Sequence, residues 1–370
     1  MNDEQNHITI VLGTRPEIIK LAPVIRACEE YDQPYSVIHT GQHYSENLNK
    51  VFFDQLELPK PDYNLGVGSA SHGKQTGEMI IGIEEILLEE NTDVVLVQGD
   101  TNSVLAGTIA ATKLDCEVGH VEAGLRSFDR EMPEEKNRVI ADHTADYLFA
   151  PTEQSEKFLL EEGLPEERIY VTGNTVVDAV QQNRELAAQK SAALSELNLE
   201  DGGYGLLTAH RAENVDNKEP FSNLLAGVAQ VGKRYGLEFL YPIHPRARSR
   251  LKEFDLELPE CVRMIPPQDY LDFLQLQSSA GLILTDSGGV QEEACILGVP
   301  CVTLRDSTER PETLDVGANR LAGTEPHEIE ESARLMLEKS HDWENPFGDG
   351  TSAIKVIDKV TTRRTESVSQ

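Results

Sequence analysis

The sequence predicts an α/β protein built of two doubly wound domains, each around a parallel sheet, facing one another across a cleft. Three observations carry this expectation. Short apolar runs rich in Val, Ile and Leu alternate with longer amphipathic stretches over nearly the whole chain, and strands apolar on both faces belong to parallel sheets covered by helices on both sides. A polar stretch at 183–203, NRELAAQKSAALSELNLEDGG, parts the runs into two groups. Unusual polar residues follow the runs, at the strand ends where open α/β sheets bind their ligands.

The first group of runs is Ile8–Leu12, Tyr35–His39, Asp93–Gln98, Glu117–Glu122, Tyr147–Ala150 and Ile169–Val171. The second is Tyr204–Thr208, Glu238–Ile243, Val262–Ile265, Gly281–Thr285 and Cys301–Leu304. Each group suffices for one Rossmann-like domain, and 370 residues suit two domains of roughly 150 residues each. The expected boundaries are 1–182 and 183–350, with Gly202 and Gly203 closing the connection as glycines commonly do. A last helix at 351–365 is expected to pack back on the first domain.

Charge narrows the function. Asp and Glu number 64 against 33 Lys and Arg, for a formal charge of −31. Nucleic acids and anionic membranes require basic patches, so neither is an expected partner. The acids are spread in ones and twos, as on a surface suited to high salt, where screening shortens the reach of self-repulsion. The 5 cysteines form no C-x-x-C pair and lie in or beside apolar runs, as reduced thiols do. The opening MNDEQN is no signal peptide, and no apolar run approaches the ~20 residues of a bilayer span. A soluble, cytoplasmic protein is expected.

The strand ends carry the chemistry. ITIVL is followed by Gly13-Thr14-Arg15-Pro16-Glu17, YSVIH by Thr40-Gly41-Gln42-His43, VVLVQ by Gly99-Asp100-Thr101, and VGHVE by Ala123-Gly124-Leu125-Arg126. In the second group LLTA leads to His210-Arg211, LYPI to His244-Pro245, and LILT to Asp286-Ser287-Gly288-Gly289. The last of these, a buried strand, a small turn and a helix start with free amides, is a cradle for phosphate. Glu293, farther along that helix, is placed to accept from ribose hydroxyls; the alternative is a tight turn that Ser287 caps. No G-x-G-x-x-G occurs, which disfavours NAD.

Arg15 stands at a helix start with Pro16 at the first position, where its fixed charge strengthens an anion site. Lys20, one turn on, faces that site or solvent. Asp100 and Glu122 end apolar strands, so burial and mutual repulsion can raise one pKa into the range of general acid–base work, unless they cap helices or pair in loops. Glu134, in MPEEKNR, is either a third such carboxylate or a favourable charge in a first helical turn. His210 and His244 stand where a proton donor can meet phosphate, or are loop histidines. The 10 histidines include no H-E-x-x-H, and no metal is implied.

At these residues the sequence resembles the non-hydrolysing UDP-N-acetylglucosamine 2-epimerase family. GTRPEIIK, TGQH, VVLVQGDT, GHVEAGLR, PEEKNR, VTGNTVVDA, the HR of LLTAHRAEN, YPIHP, LTDSGGVQEEA, RDSTERPE and NPFGDG occur in family order over about 8–350. The resemblance implies a glycosyltransferase-B-like pair of Rossmann domains and a homodimer without cofactor. It implies interconversion of UDP-N-acetylglucosamine and UDP-N-acetylmannosamine, by elimination of UDP to a bound glycal and re-addition. Carried over by motif, Asp100, Glu122 and Glu134 are the acid–base carboxylates and His210 assists the departing diphosphate. Arg15, His244, Ser287, Gly288, Gly289 and Glu293 hold UDP, with Arg310 of TERPE as a further contact.

The resemblance has gaps. LGVGSASHGKQTGEM and SFDREM differ from bacterial members, and with Gln42 and His43 they border a second substrate site that activates some of those enzymes. Activation of that kind is therefore not implied. Rival activities are C2 epimerisation of another UDP-sugar of the diacetamido-uronate type, whose enzymes favour glutamine where this chain has Glu17, and a hydrolysing epimerase that releases N-acetylmannosamine and UDP. A glycosyltransferase, or a catalytically silent nucleotide-sugar sensor, would not need all three carboxylates.

Overall fold

The computed structural model describes residues 5–42 and 46–362; His43 lies outside the described residues. The chain forms two compact units. One takes in the chain through Gln181 and resumes at Phe347, and the other is Gln182–Pro346.

In the first unit the strands are β1 (Ile8–Leu12), β2 (Tyr35–His39), β3 (Tyr63–Asn64), β4 (Val94–Gln98), β5 (Glu117–Val121), β6 (Tyr147–Ala150) and β7 (Ile169–Val171). They form one 7-stranded sheet ordered β3-β2-β1-β4-β5-β6-β7. In the second unit β8 (Tyr204–Thr208), β9 (Glu238–Pro242), β10 (Val262–Ile265), β11 (Leu282–Thr285), β12 (Cys301–Thr303) and β13 (Asn319–Leu321) form a 6-stranded sheet ordered β10-β9-β8-β11-β12-β13. The strand pairs are parallel. Each order runs outward from its first strand in both directions, as in a doubly wound Rossmann sheet. The direction reverses between β1 and β4 in one unit and between β8 and β11 in the other.

Burial on both faces explains the apolar runs. Ile8, Ile10, Val11 and Leu12 are each 0% exposed, as are Val94, Val95, Leu96 and Val97. Each such side chain contributes about 1.5–3 kcal/mol by leaving water. The observed strands depart from the predicted runs mainly at their ends and edges. Glu122 falls outside β5 because its φ of +69° turns the backbone out of the ladder. β3 and β13 were not anticipated; both are edge pieces of two or three residues, Tyr63–Asn64 and Asn319–Leu321, with no apolar run to mark them.

The division between units falls between Gln181 and Gln182, one residue from the expected boundary and inside one helix, Thr175–Lys190. Asn183 is fully buried. A short helix, Ala193–Leu197, follows before Gly202 donates to Ser279 O at 2.9 Å. The final helix, Ser352–Thr362, packs on helix Arg15–Glu30 of the first unit. Ala353 N–H donates to Asp178 Oδ1 at 2.9 Å, and Asn6 Nδ2 donates to Val360 O at 3.0 Å. Among the described residues no helix is long and apolar enough to cross a membrane.

Candidate active site

The polar strand ends gather at the two points where strand order reverses. In the first unit Gly13 leaves β1 between Thr40 and Ser103, whose hydroxyls bond at 2.8 Å. A Cβ on Gly13 would stand 2.1 Å from Thr40 Oγ1 and 2.2 Å from Ser103 Oγ, so a larger residue would displace both hydroxyls. The helix that follows opens at Arg15, expected beside an anion, and Glu17 takes the two amides just ahead of it. Its Oε2 accepts from Gly13 N at 2.9 Å and Thr14 N at 2.7 Å, and its Oε1 from the Thr101 hydroxyl at 2.6 Å. Burial raises the Glu17 pKa, and these hydrogen bonds offset only part of that cost. Glu17 thus shapes the helix start. Arg15 remains exposed, its guanidinium 5.4 Å from the Phe52 ring centre.

The carboxylates are arranged by cations. Glu122 is 5% exposed and takes Lys20 Nζ at 2.6 Å, Asn174 Nδ2 at 2.9 Å and the Gln98 amide. Asp100 pairs with Arg138, which also reaches Glu135 at 3.0 Å. Asp100 and Glu122 thus each have a cationic partner. Lys20 is engaged with Glu122. Asn137, one residue before Arg138, donates to Asp100 O at 2.9 Å. Glu134 is exposed in the first turn of helix Pro133–Thr144. Its neighbour Glu135 turns inward and accepts from Ser127 N at 2.9 Å and Phe128 N at 3.0 Å. Burial opposes the charge of Glu135, but the Ser127, Phe128 and Arg138 donors outweigh it and lower the pKa.

In the second unit Asp286 follows β11 and is 0% exposed. Its Oδ2 accepts from His210 N at 2.8 Å and Arg211 N at 2.9 Å, and its Oδ1 lies 3.0 Å from His210 Nδ1. Burial alone would raise the Asp286 pKa; the His210 ring and the two amides more than offset it, so the carboxylate stays ionised. A carboxylate at Nδ1 fixes the ring and leaves Nε2 to exchange a proton with a ligand. The His244 ring lies 6.0 Å from that of His210, centre to centre. His244 Nδ1 accepts from Arg246 N at 3.2 Å, so the neutral ring carries its hydrogen on Nε2.

Both histidines line a cavity of about 330 Å³ with Ser287 on its rim and Pro242, Pro267, Phe273 and Val290 among its walls. Apolar walls with a few polar groups on one side suit a planar base joined to an anion. A larger cavity, about 490 Å³, lies against helix Pro245–Glu253, includes Arg248 and Lys252, and shares Pro245 and Pro267 with the first.

Ser287 begins helix Gly288–Leu297 without capping it by its side chain. The first bond of that helix is Gln291 N to Ser287 O at 3.2 Å, so the amides of Gly288 and Gly289 precede the ladder. A Cβ on Gly289 would meet nothing within 4 Å, and one on Gly288 only Glu309 Oε2 at 3.7 Å. Neither glycine has a left-handed backbone. The fold therefore requires glycine at neither position. Arg305 grips Glu309 at 2.8 Å through two nitrogens and holds its pKa down at about 2. Glu293 accepts from Gln277 Nε2 at 2.7 Å, and Arg310 Nε lies 3.3 Å from the buried Glu292. No group of three or more His, Cys, Asp or Glu among the described residues is placed to hold a metal ion.

A family model described as UDP-N-acetylglucosamine 2-epimerase matches residues 26–361. The chain belongs to that family. A curated UDP-N-acetylglucosamine 2-epimerase of Methanocaldococcus jannaschii is 54% identical over 356 residues, 95% of this chain and 97% of its own length. The solved structure of UDP-GlcNAc 2-epimerase from that organism superposes with a TM-score of 0.89 at 52% identity, covering 96% of this chain and 99% of the other. A second structure, of the M. jannaschii enzyme in complex with UDP-GlcNAc and UDP, gives 0.82 at 53% identity with the same coverage. The fold is thus the glycosyltransferase-B-like pair of Rossmann domains of the 2-epimerases.

Several residues of this 2-epimerase family member went unnoticed in the sequence. Asn137 and Arg138 hold the Asp100 turn, and their place in PEEKNR was the available signal. The Thr14-x-x-Glu17 spacing announces the capping box that closes the first helix start. Gln98 and Asn174, which bind Glu122, carry no local mark beyond lying at strand ends.

Proposed function

We propose that the protein interconverts UDP-N-acetylglucosamine and UDP-N-acetylmannosamine as a non-hydrolysing isomerase. The observation that carries the reading is the pair Gly288 and Gly289, which open a helix with free amides beside the Asp286–His210 pair and leave room that the fold does not use. A diphosphate resting there takes the amides and the Ser287 hydroxyl. Glu293 receives the ribose and the apolar cavity the base, while His244, Arg15 and Arg310 add donors to the phosphates. His210 Nε2–H meets the oxygen that leaves C1.

The two sugars differ only in configuration at C2, so the reaction moves a proton and no electrons. One carboxylate takes the C2 hydrogen as a proton while the C1–O bond breaks, giving UDP and the 1,2-unsaturated glycal. A second acid returns a proton to C2 on the opposite face, and the UDP oxygen re-forms the bond to C1. Two faces need two acids, and Asp100, Glu122 and Glu134 supply that set. Lys20 and Arg138 orient Glu122 and Asp100 through ion pairs. Developing charge on UDP is stabilised by donors already aimed at it. Family membership also supports, within this proposal, a cytoplasmic homodimer that needs no redox cofactor.

Incubation with UDP-N-acetylglucosamine tests the reading. The expected products are a mixture of the two UDP-sugars, resolved by chromatography and proton NMR. Free N-acetylmannosamine accumulating with UDP would replace it by a hydrolysing epimerase, and turnover only of a UDP-diacetamido-uronate would replace the substrate.

A further inference from the structure

His120 lies on β5, two residues before Glu122, with its side chain 0% exposed. Its Nε2 is 2.7 Å from Gly99 O and its Nδ1 is 2.6 Å from Asp142 Oδ1. A backbone carbonyl can only accept, so Nε2 carries a hydrogen. Asp142, also 0% exposed, receives Arg126 at 2.7 Å and Gly124 N at 3.2 Å on its other oxygen, which marks it as an ionised acceptor. Nδ1 therefore carries a hydrogen too, and the ring is an imidazolium. Burial pulls the His120 pKa down, but the Asp142 charge and the Gly99 carbonyl raise it further than burial lowers it. Asp142 is correspondingly lowered, against its own burial, by His120 and Arg126.

This buried charge cluster touches both turns that present the first unit's acids. The His120 ring binds the carbonyl just before Asp100, while Gly99 N donates to Val121 O at 3.1 Å. Asp142 binds the amide of Gly124, two residues after Glu122. Gly99, Glu122 and Gly124 have φ of +83°, +69° and +79°. A left-handed backbone is strained for a non-glycine residue such as Glu122, so the turn holds its shape only while its surroundings fix it. A charged donor is roughly twice as strong a tie as a neutral one.

We propose that His120, as a buried imidazolium linked to Asp142, is a positioning residue that sets the placement of Asp100 relative to Glu122. The inference rests on the reading of those two as acid–base groups; His120 itself touches no substrate.

Two near-isosteres test it. In His120→Gln the amide nitrogen takes the place of Nε2 and keeps the Gly99 contact; in His120→Asn it takes the place of Nδ1 and keeps only Asp142. Both leave Arg126 to pair with Asp142. The expected result is a kcat about 100-fold below wild type for His120→Asn and within about tenfold for His120→Gln. KM and UDP affinity should be unchanged and the two melting temperatures alike. Equal kcat in the two variants, whether near wild type or reduced together with melting temperature, would overturn the proposal. An inactive wild type would refute the epimerase reading and the positioning role with it. Should either variant not fold, ¹⁵N-histidine NMR of the wild-type protein decides the matter. Two protonated nitrogens on His120 near neutral pH support the proposal, and a neutral ring refutes it.

Discussion

Asp100→Asn is expected to lower kcat by about 10²–10⁴-fold, the range for a lost general acid or base, with UDP affinity within about twofold of wild type. The substitution keeps size and removes the ability to exchange a proton. Arg138 is not left unpaired by it, because Glu135 remains at 3.0 Å, so the turn should hold and the loss should fall on chemistry. UDP binding draws in this account on the second unit and on Arg15, not on Asp100. Steady-state kinetics and calorimetric titration with UDP check both halves of the expectation. Turnover within about tenfold of wild type would remove Asp100 from the acid–base set.

Gly289→Ala should act in the opposite manner, with binding lost and the fold unharmed. A methyl group there meets no protein atom within 4 Å, and the backbone is not left-handed. Removing a glycine's freedom in the unfolded chain stabilises by up to about 1 kcal/mol where the new side chain fits. The same methyl group enters the space where the diphosphate approaches the amides. A drop in UDP affinity of at least about tenfold, or 1.4 kcal/mol, with the melting temperature unchanged or raised, is the expected outcome. Unchanged affinity would mean that the anion does not rest on this helix start.

The sequence disclosed those features that depend on neighbours in the chain. The apolar runs of β1, β4 and β11 were legible because burial on both faces demands continuous Val, Ile and Leu. The Asp286–Gly289 turn was legible because a strand, a small turn and a helix start follow one another directly. Edge strands such as β3, two residues long with one of them exposed, leave no comparable pattern. The inward turn of Glu135 beside an exposed Glu134 depends on which face of the helix meets the sheet, and two adjacent glutamates do not reveal that. The His120–Asp142 contact joins residues 22 apart, and no spacing rule predicts such a pair. At the first helix start Glu17 takes the Gly13 and Thr14 amides, a contact that the sequence reading of Arg15 did not include.

The central claim is that protein carboxylates remove and return the hydrogen at C2 while the diphosphate departs. Turnover of UDP-N-acetylglucosamine in deuterium oxide, followed by proton NMR, addresses it directly. The account predicts UDP-N-acetylmannosamine with deuterium at C2, since a carboxylate proton exchanges with solvent. UDP-N-acetylmannosamine that forms with its original hydrogen at C2 would contradict it.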